Sequence, residues 1–178
     1  MLRLFAAIAV PWDIAQGLAE HQTGLNGAHW RTAEQLHITL RFIGDTAEPR
    51  ADDLDAELSA IVQEPFDLEL TGVGHFGEAV DIHAIWAGVA ENPALRQLQK
   101  RCESAARRSG LAADTRAWRP HVTLAYLKRP DPGAAMDWEA ANNLLHSPVF
   151  RVKRFGLYSS HQTRDGSAYR LEGDYPLR

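Results

Sequence analysis

The chain has 178 residues, of which 45% are hydrophobic and 24% are charged, and this length is sufficient for one domain with a sizeable buried core. Its 19 lysine and arginine residues and 23 aspartate and glutamate residues give a formal charge of −4, which argues against a protein that coats long nucleic acid. The single cysteine, Cys102, excludes an internal disulfide and four-cysteine metal sites. No stretch reaches the roughly 20 apolar residues of a membrane span, so we expect a cytoplasmic protein without membrane segments.

Short apolar runs alternate with amphipathic helical stretches along the chain. The first run, residues 2–10, predicts a buried strand because it has strand length and ends at Pro11; a secretory signal is the alternative. A helix over residues 12–20 and a strand over residues 36–43 follow. Apolar residues spaced by three and four then predict a helix over residues 46–62. Further strands are predicted over residues 66–76 and 82–90.

The remaining elements follow the same alternation. A helix begins at Asn92 and Pro93 and ends at Gly110. It places Cys102 among its apolar positions, which favours a core residue over a reactive thiol. A strand over residues 121–127, a helix over residues 134–145, and strands over residues 150–159 and 169–172 complete the chain.

The sequence contains an internal repeat. The motif His37-Ile-Thr-Leu recurs as His121-Val-Thr-Leu, and the segments 66–72 and 150–156 are separated by the same offset along the chain. The segments 4–9 and 85–90 are related by nearly the same offset, and each precedes a helix. Each half therefore consists of strand, helix, motif strand, helix and strand. This order predicts two halves packed about an approximate twofold axis, which would bring equivalent residues face to face.

Four His-x-Thr triplets occur, but only two lie within apolar strands. The triplets that start at His21 and His161 have a polar middle residue and flank turn signals, including Asp165-Gly166, so we predict that they are surface loops. The other two lie at matching places in the repeat.

Strand alternation predicts which side chains of the two motifs share a face. His37, Thr39 and Arg41 are predicted on one face, opposite Phe42, because side chains two residues apart point the same way. His121 and Thr123 share a face in the second half. If the apolar side chains pack into each lobe, two histidines and two threonines line the cleft between the lobes.

This set of side chains suits phosphoryl chemistry without a metal. Because the ordinary pKa of imidazole is near 6.5, one histidine can act as a base and the other as an acid. Hydrolysis of a cyclic phosphodiester needs both, since the attacking and leaving oxygens are roughly in line. Threonine hydroxyls can donate to the non-bridging oxygens. Arg41 is a candidate phosphate ligand, with a solvated strand residue as the alternative. Metal-binding and Walker-type motifs are absent from the sequence, so we expect neither metal nor cofactor.

The segments WRTAEQLHITLRFIGD (residues 30–45) and RAWRPHVTLAYLKR (residues 116–129) resemble the 2H phosphoesterase superfamily, and within it the RNA 2′,3′-cyclic phosphodiesterases, also called 2′-5′ RNA ligases. The resemblance covers nearly the whole chain. It implies an α+β, bilobal fold in which two lobes related by a pseudo-twofold axis place antiparallel sheets around a central cleft, with helices outside. We expect a single domain over residues 1–178, with the two duplicated lobes interleaved.

The resemblance also implies an activity, the opening of a 2′,3′-cyclic phosphate at the end of RNA or of a nucleotide to a 2′-phosphomonoester. By the family pattern, His37 is the proton donor, His121 is the proton acceptor that activates water, and Thr39 and Thr123 bind the phosphate. The near symmetry of the motifs leaves the two histidine roles open at the level of sequence. We expect a monomer. The alternatives are 2′-5′ ligation, a small cyclic nucleotide as substrate, and a module that binds RNA ends without turnover.

The chain departs from the family pattern at one position. Many relatives carry arginine two residues after the leucine of the second motif, where this chain has Tyr126. Strand alternation predicts that this side chain faces away from the cleft.

Aromatic residues beside arginines precede both motifs, at Trp30-Arg31 and at residues 116–119. Such pairs can stack a base and hold its phosphate, and the alternative is that the tryptophans cover the lobes. His75 is a candidate for the rim of the cleft, whereas the apolar strand around His83 favours a structural role.

Overall fold

The computed structural model describes residues 1–78, 81–128, 130–163 and 166–178. Asp165, half of one predicted turn, and Arg129, the last residue of the second quoted motif, lie outside the described residues. In the described part of the chain, no helix is both long enough and apolar enough to cross a membrane.

Helices and strands alternate as the sequence predicts. The helices are α1 (Trp12–Ala19), α2 (Glu48–Ser59), α3 (Pro93–Arg108) and α4 (Pro132–Asn142). The strands are β1 (Leu2–Ala9), β2 (Ala28–Trp30), β3 (His37–Thr46), β4 (Phe66–Leu68), β5 (Leu70–Phe76), β6 (Ala84–Val89), β7 (His121–Leu127), β8 (Phe150–Val152), β9 (Arg154–Thr163) and β10 (Gly166–Pro176). A short 3-10 helix covers Ala33–Gln35. The side chain of Asn92 caps α3 by accepting a hydrogen bond from the Leu95 N–H.

Most strands join one antiparallel sheet in the order β10-β9-β1-β3-β7-β6-β5, and β2 pairs with the far end of β7. A second, two-stranded sheet consists of β4 and β8. Helices α2 and α3 pack on each other, with α3 against β3 and α2 against β10. Cys102 of α3 is fully buried there, which confirms the predicted core position, and burial raises the pKa of its thiol.

The approximate twofold axis is visible in the strand pairing. Ile38 of β3 pairs with Val122 of β7, and Asp67 of β4 pairs with Arg151 of β8. The members of each pair are separated along the chain by the same offset as the two motif histidines, so each residue meets its own equivalent in the repeat. This arrangement requires an axis that passes through both pairs, and it confirms the predicted pseudo-twofold relation of the lobes.

The two halves of the chain exchange their last strands. The first half contributes β1 and β3 to one lobe, but β9 from the second half completes that lobe beside β1. In the other lobe, β6 and β7 are joined by β5 from the first half. Each lobe therefore contains strands from both halves.

Several element boundaries differ from the sequence prediction. The strand predicted over residues 66–76 is interrupted at Glu69, and the strand predicted over residues 150–159 is interrupted at the equivalent Lys153. At these points β4 and β8 leave the main sheet to pair with each other on the axis. Strand β2 was not predicted. The predicted loop at His161 is wrong, because this residue belongs to β9, which continues to Thr163.

Candidate active site

Equivalent bulges in β3 and β7 determine which side chains face the cleft. The pairing of β1 with β3 passes from Thr39 directly to Arg41, which leaves Leu40 without a partner. The pairing of β6 with β7 skips Leu124, which is the equivalent of Leu40 in the second half of the repeat. An extra residue in one strand shifts the alternation of all side chains beyond it.

The bulges correct the predicted orientation of three side chains. Phe42 and Tyr126, predicted to face away from the cleft, are 37% and 46% exposed and line a cavity together with His37. Arg41, predicted to share the face of the histidine, is buried with its guanidinium towards α3, although it also lines the cavity at His121. Strand alternation alone was therefore wrong beyond Leu40 and Leu124.

The guanidinium of Arg41 donates hydrogen bonds to acceptors within the protein. Its Nε lies 2.5 Å from a carboxylate oxygen of Glu103, and its Nη1 lies 3.6 Å from Asp114. Its Nη2 donates to the carbonyl of Ala112 at 2.6 Å, and Nη1 also donates to the carbonyl of Phe42. These contacts hold Arg41 against the outer helix and the following loop, and a role as phosphate ligand stays a prediction.

The two motif histidines have the same hydrogen bond in both halves. Nδ1 of His37 lies 2.7 Å from the carbonyl oxygen of Gln35, and Nδ1 of His121 lies 2.7 Å from that of Arg119. A carbonyl oxygen only accepts, so Nδ1 carries the proton in both rings. The lone pair of each neutral imidazole is therefore on Nε2, which can accept a proton and afterwards donate it.

Aromatic side chains surround both imidazoles. The ring centroid of His37 lies 4.9 Å from that of Phe5 and 5.3 Å from that of Tyr169. The ring of His121 lies 4.7 Å from Phe76 and 6.2 Å from Trp86. Sequence reasoning missed these neighbours. The repeat contained a signal for two of them, because Phe5 and Trp86 occupy equivalent places of the repeated segments in β1 and β6.

The candidate catalytic groups line two adjoining cavities. One, of about 330 Å³, is lined by His37 together with Tyr126 and Tyr169, and the other, of about 240 Å³, is lined by His121. Thr39 and Phe42 line both cavities, so the two spaces adjoin at these residues. Thr123 is half-buried and lies opposite Trp86 in the neighbouring strand.

Burial keeps both histidines neutral in the unliganded protein. It lowers the pKa of His37 from 6.5 to about 4, although the hydrogen bond to the Gln35 carbonyl acts in the opposite direction. The positive charge of Arg31 and the nearby His121 lower this pKa further. Burial is also the main cause of the lowered pKa of His121. Near pH 7 both Nε2 atoms are therefore available to accept a proton.

The other residues considered from the sequence are held by contacts within the protein. Trp118 donates from Nε1 to the carbonyl of Thr39 at 3.0 Å and so ties the loop before the second motif to the first motif. Trp30 packs on Trp138 of α4, with ring centroids 6.0 Å apart. His75 is paired with Glu139 of α4.

His83 is exposed, and its Nδ1 donates to the carbonyl of Asp81 at 3.1 Å. Within the ranges that the structure covers, there is no group of three or more histidine, cysteine, aspartate or glutamate residues that could hold a metal ion.

Comparison with known proteins identifies relatives along nearly the whole chain. The profile of the 2′-5′ RNA ligase superfamily matches residues 9–164. An RNA 2′,3′-cyclic phosphodiesterase from Geobacillus stearothermophilus is 33% identical over 151 residues, which are 83% of this chain and 47% of the relative. The chain thus spans about half the length of that protein. The protein of the same name from Archaeoglobus fulgidus is 28% identical over 137 residues, 75% of this chain and 77% of the relative.

Solved structures also resemble this chain over nearly its whole length. Apo LigT of E. coli superposes with a TM-score of 0.80 and 25% identity, covering 99% of this chain and 97% of LigT. The complex of E. coli LigT with 3′-AMP has a TM-score of 0.79 and 27% identity, covering 99% and 98%. The predicted α+β fold with its two lobes is confirmed by these superpositions.

Proposed function

This chain belongs to the 2′-5′ RNA ligase superfamily, and we propose that it is an RNA 2′,3′-cyclic phosphodiesterase that hydrolyses a terminal 2′,3′-cyclic phosphate to a 2′-phosphomonoester. The observation that carries the proposal is the matched pair of histidines. His37 and His121 both present Nε2 with its lone pair, on adjoining cavities related by the approximate twofold axis. The curated relatives that bear this name support the choice of substrate.

In the proposed reaction the substrate phosphorus lies between the two imidazoles. His121 Nε2 takes a proton from a water molecule whose oxygen attacks phosphorus. The bond from phosphorus to the 3′ oxygen breaks, and His37 Nε2 donates a proton to that leaving oxygen. The hydroxyls of Thr39 and Thr123 donate to the non-bridging oxygens. One water is consumed, and the proton gained by His121 balances the proton lost by His37.

The donor role requires that His37 acquire a proton in the substrate complex. Its pKa of about 4 in the unliganded protein leaves the ring neutral near pH 7. A phosphodiester anion beside the ring stabilises the imidazolium form and raises this pKa. Substrate binding therefore generates the protonated form of His37 that donates to the leaving oxygen.

We further propose that the protein acts as a monomer in the cytoplasm, on RNA or nucleotides with a 2′,3′-cyclic phosphate end. Both proton transfers are assigned to histidines, so the proposed reaction requires no metal and no cofactor.

A second candidate activity is 2′-5′ ligation, in which a 5′-hydroxyl replaces water. The two adjoining cavities favour this candidate as a companion activity, because the nucleotide with the cyclic end could occupy the His37 cavity while the acceptor nucleoside occupies the His121 cavity. The same bond from phosphorus to the 3′ oxygen breaks, and the 5′ oxygen takes the place of the water oxygen as nucleophile.

Turnover of a cyclic mononucleotide and of an oligonucleotide with a cyclic end tests these proposals. The assay contains a chelator and a salt series, and mass spectrometry identifies the products with and without a 5′-hydroxyl acceptor. We expect addition of one water to give a 2′-monophosphate, and we expect His37→Ala or His121→Ala to lower turnover by about 10²- to 10⁴-fold while folding persists. His83→Ala, at an exposed histidine outside the site, is the matched control.

Other results of this assay would lead to different conclusions about mechanism and substrate. Full activity of either site variant would refute the two-histidine mechanism. Binding without product would instead indicate a module that recognises RNA ends, and turnover restricted to mononucleotides would identify a small cyclic phosphate as the substrate. A steep salt dependence for the oligonucleotide alone would indicate contacts with the RNA backbone.

A further inference from the structure

Arg31 is a buried cation beside the His37 cavity. Its side chain is only 9% exposed, and its guanidinium carbon lies 5.4 Å from the ring centroid of Tyr126 and 5.6 Å from that of Tyr169. Among the ion pairs of the described residues, none joins Arg31 to a carboxylate, whereas the equally buried Arg41 is paired with Glu103. A buried charge without a counterion is costly.

The backbone of Arg31 is fixed at the bulge that shapes the site. Its N–H donates to the carbonyl of Leu124 at 2.8 Å. The side-chain amide of Gln22 donates to the carbonyls of Arg31 and Leu124, at 2.7 and 3.2 Å. The same bulge at Leu124 brings Tyr126 to the cleft face, so the cation and the aromatic ring beside it are positioned by one local feature.

The two tyrosines connect Arg31 to the candidate catalytic group. Both line the His37 cavity, and Tyr169 contacts the ring of His37 edge-on. Nη2 of Arg31 donates to the hydroxyl of Tyr169 at 3.0 Å. A guanidinium has five N–H donors, and this is the only side-chain hydrogen bond of Arg31 in the described part of the chain, so further donors remain for a ligand.

The His37 cavity has little other positive charge where a phosphate would bind, whereas three arginines, Arg41, Arg116 and Arg119, line the adjoining His121 cavity. The two histidines are neutral near pH 7 without ligand, and the threonines are uncharged. Arg3 also lines the His37 cavity, but its side chain is exposed and solvent screens its charge. Arg31 is the cation in this part of the site whose charge is shielded from water, and shielding strengthens its attraction for an anion.

We propose that Arg31, which lies behind Tyr126 and Tyr169 at the wall of the His37 cavity, binds the anionic phosphoryl group of the substrate there, and that the substrate supplies the counterion that no carboxylate of the described residues provides. The identity of this anion, a phosphodiester or its phosphomonoester product, rests on the proposed function. The hydroxyl of Tyr169 accepts from Arg31 and keeps its own proton to donate to the same group.

Equilibrium binding of inorganic phosphate and of adenosine 2′-monophosphate tests the proposal. Isothermal titration at fixed ionic strength compares the full-length chain with Arg31→Gln, Arg31→Lys and the control Arg96→Gln, which removes an exposed arginine paired with Glu91. Loss of a charge-assisted contact should weaken binding by about 10- to 100-fold in Arg31→Gln. The lysine variant keeps the charge with fewer donors and should lose less. The control should bind like the unmodified protein.

A compensating variant separates binding from packing. Tyr126 lies against the guanidinium and lines the cavity, so Tyr126→Arg in the Arg31→Gln background should return positive charge to the same space and restore most of the affinity. Thermal unfolding should show Arg31→Gln to be at least as stable as the unmodified protein, because the substitution removes a buried charge that has no carboxylate partner among the described residues. If Arg31→Gln does not fold, Arg31→Lys alone and with Tyr126→Arg provides the comparison.

The outcomes distinguish this proposal from the function on which it rests. Unchanged phosphate affinity in folded Arg31→Gln would overturn the role of Arg31, even if the unmodified protein hydrolyses cyclic phosphates. Weakened affinity that neither the lysine nor the Tyr126→Arg variant improves would also overturn it, because packing would then explain the loss. Phosphate binding that depends on Arg31 in a chain without turnover would overturn the proposed function alone.

Discussion

Replacing His121 with alanine isolates the proton-donating role that we propose for His37. Without the general base, the residual reaction depends on the protonation of His37 alone. With a pKa of about 4 in the unliganded protein, about one molecule in a thousand carries the required proton at pH 7. The residual kcat/KM, which reports the unliganded enzyme, should therefore fall about tenfold for each pH unit above 4.

The substrate complex should titrate at higher pH. An imidazolium and a phosphodiester anion about 4 Å apart attract each other by about 4 kcal/mol at an effective dielectric constant of about 20. Since about 1.4 kcal/mol corresponds to one pKa unit, this attraction raises the pKa of His37 by about three units, to near 7. The residual kcat should stay level up to about pH 7 and decline above it.

Initial rates of 2′,3′-cyclic AMP hydrolysis between pH 4 and 9, at constant ionic strength and high enzyme concentration, measure both profiles. Circular dichroism at each pH verifies that the protein is folded, and His83→Ala in the otherwise unmodified chain serves as control. A residual kcat/KM that rises between pH 4 and 6 would show that His37 acts as a base and would exchange the two roles. A flat profile would refute the argument from burial.

Other substitutions separate binding, stability and protonation. Thr39→Ala or Thr123→Ala should lower kcat/KM by about 10- to 100-fold, less than loss of a histidine, because each removes one hydrogen bond to a charged group; steady-state kinetics measure this. Arg41→Met should reduce the free energy of unfolding in urea by about 1–3 kcal/mol because it leaves the half-buried Glu103 carboxylate without its ion-pair partner, whereas Arg96→Gln should change it by less than about 1 kcal/mol; equal losses would contradict the ion-pair argument. The lowered pKa of His37 means that the unfolded chain binds a proton more readily between pH 6.5 and 4, so stability should fall by up to about 3 kcal/mol as the pH decreases across that window. His37→Asn should remove that part of the slope in urea titrations at several pH values.

The duplicated architecture and the paired motifs were accessible from sequence because both are periodic. The constant offset of the repeat identified His37 and His121 as equivalents, and strand alternation placed each threonine on the face of its histidine. The pairing of Ile38 with Val122 agrees with that reasoning. That residues 1–178 form one domain, and that the protein is a monomer, remain predictions.

The side chains beyond the motifs could not be predicted, because a bulge depends on the register of the partner strand. The bulge at Leu40 turned Arg41 towards α3, and the bulge at Leu124 turned Tyr126 towards the cleft. The importance of Arg31 depends on burial and on the lack of an acidic partner among the described ion pairs, and three-dimensional packing alone determines both. The departure at Tyr126 therefore concerns the site directly.

The exchange of strands between the halves has a consequence for biosynthesis. During translation, β1 and β3 emerge early, but β9, which covers the outer edge of β1, is completed only near the end of the chain. Until then, the apolar segment Leu2–Ala9 has an open edge that can pair with other polypeptides. Such long-range pairing slows folding, so a nascent or truncated chain that stops before Arg154 would be prone to aggregation and would depend on chaperones, although the complete protein protects this strand.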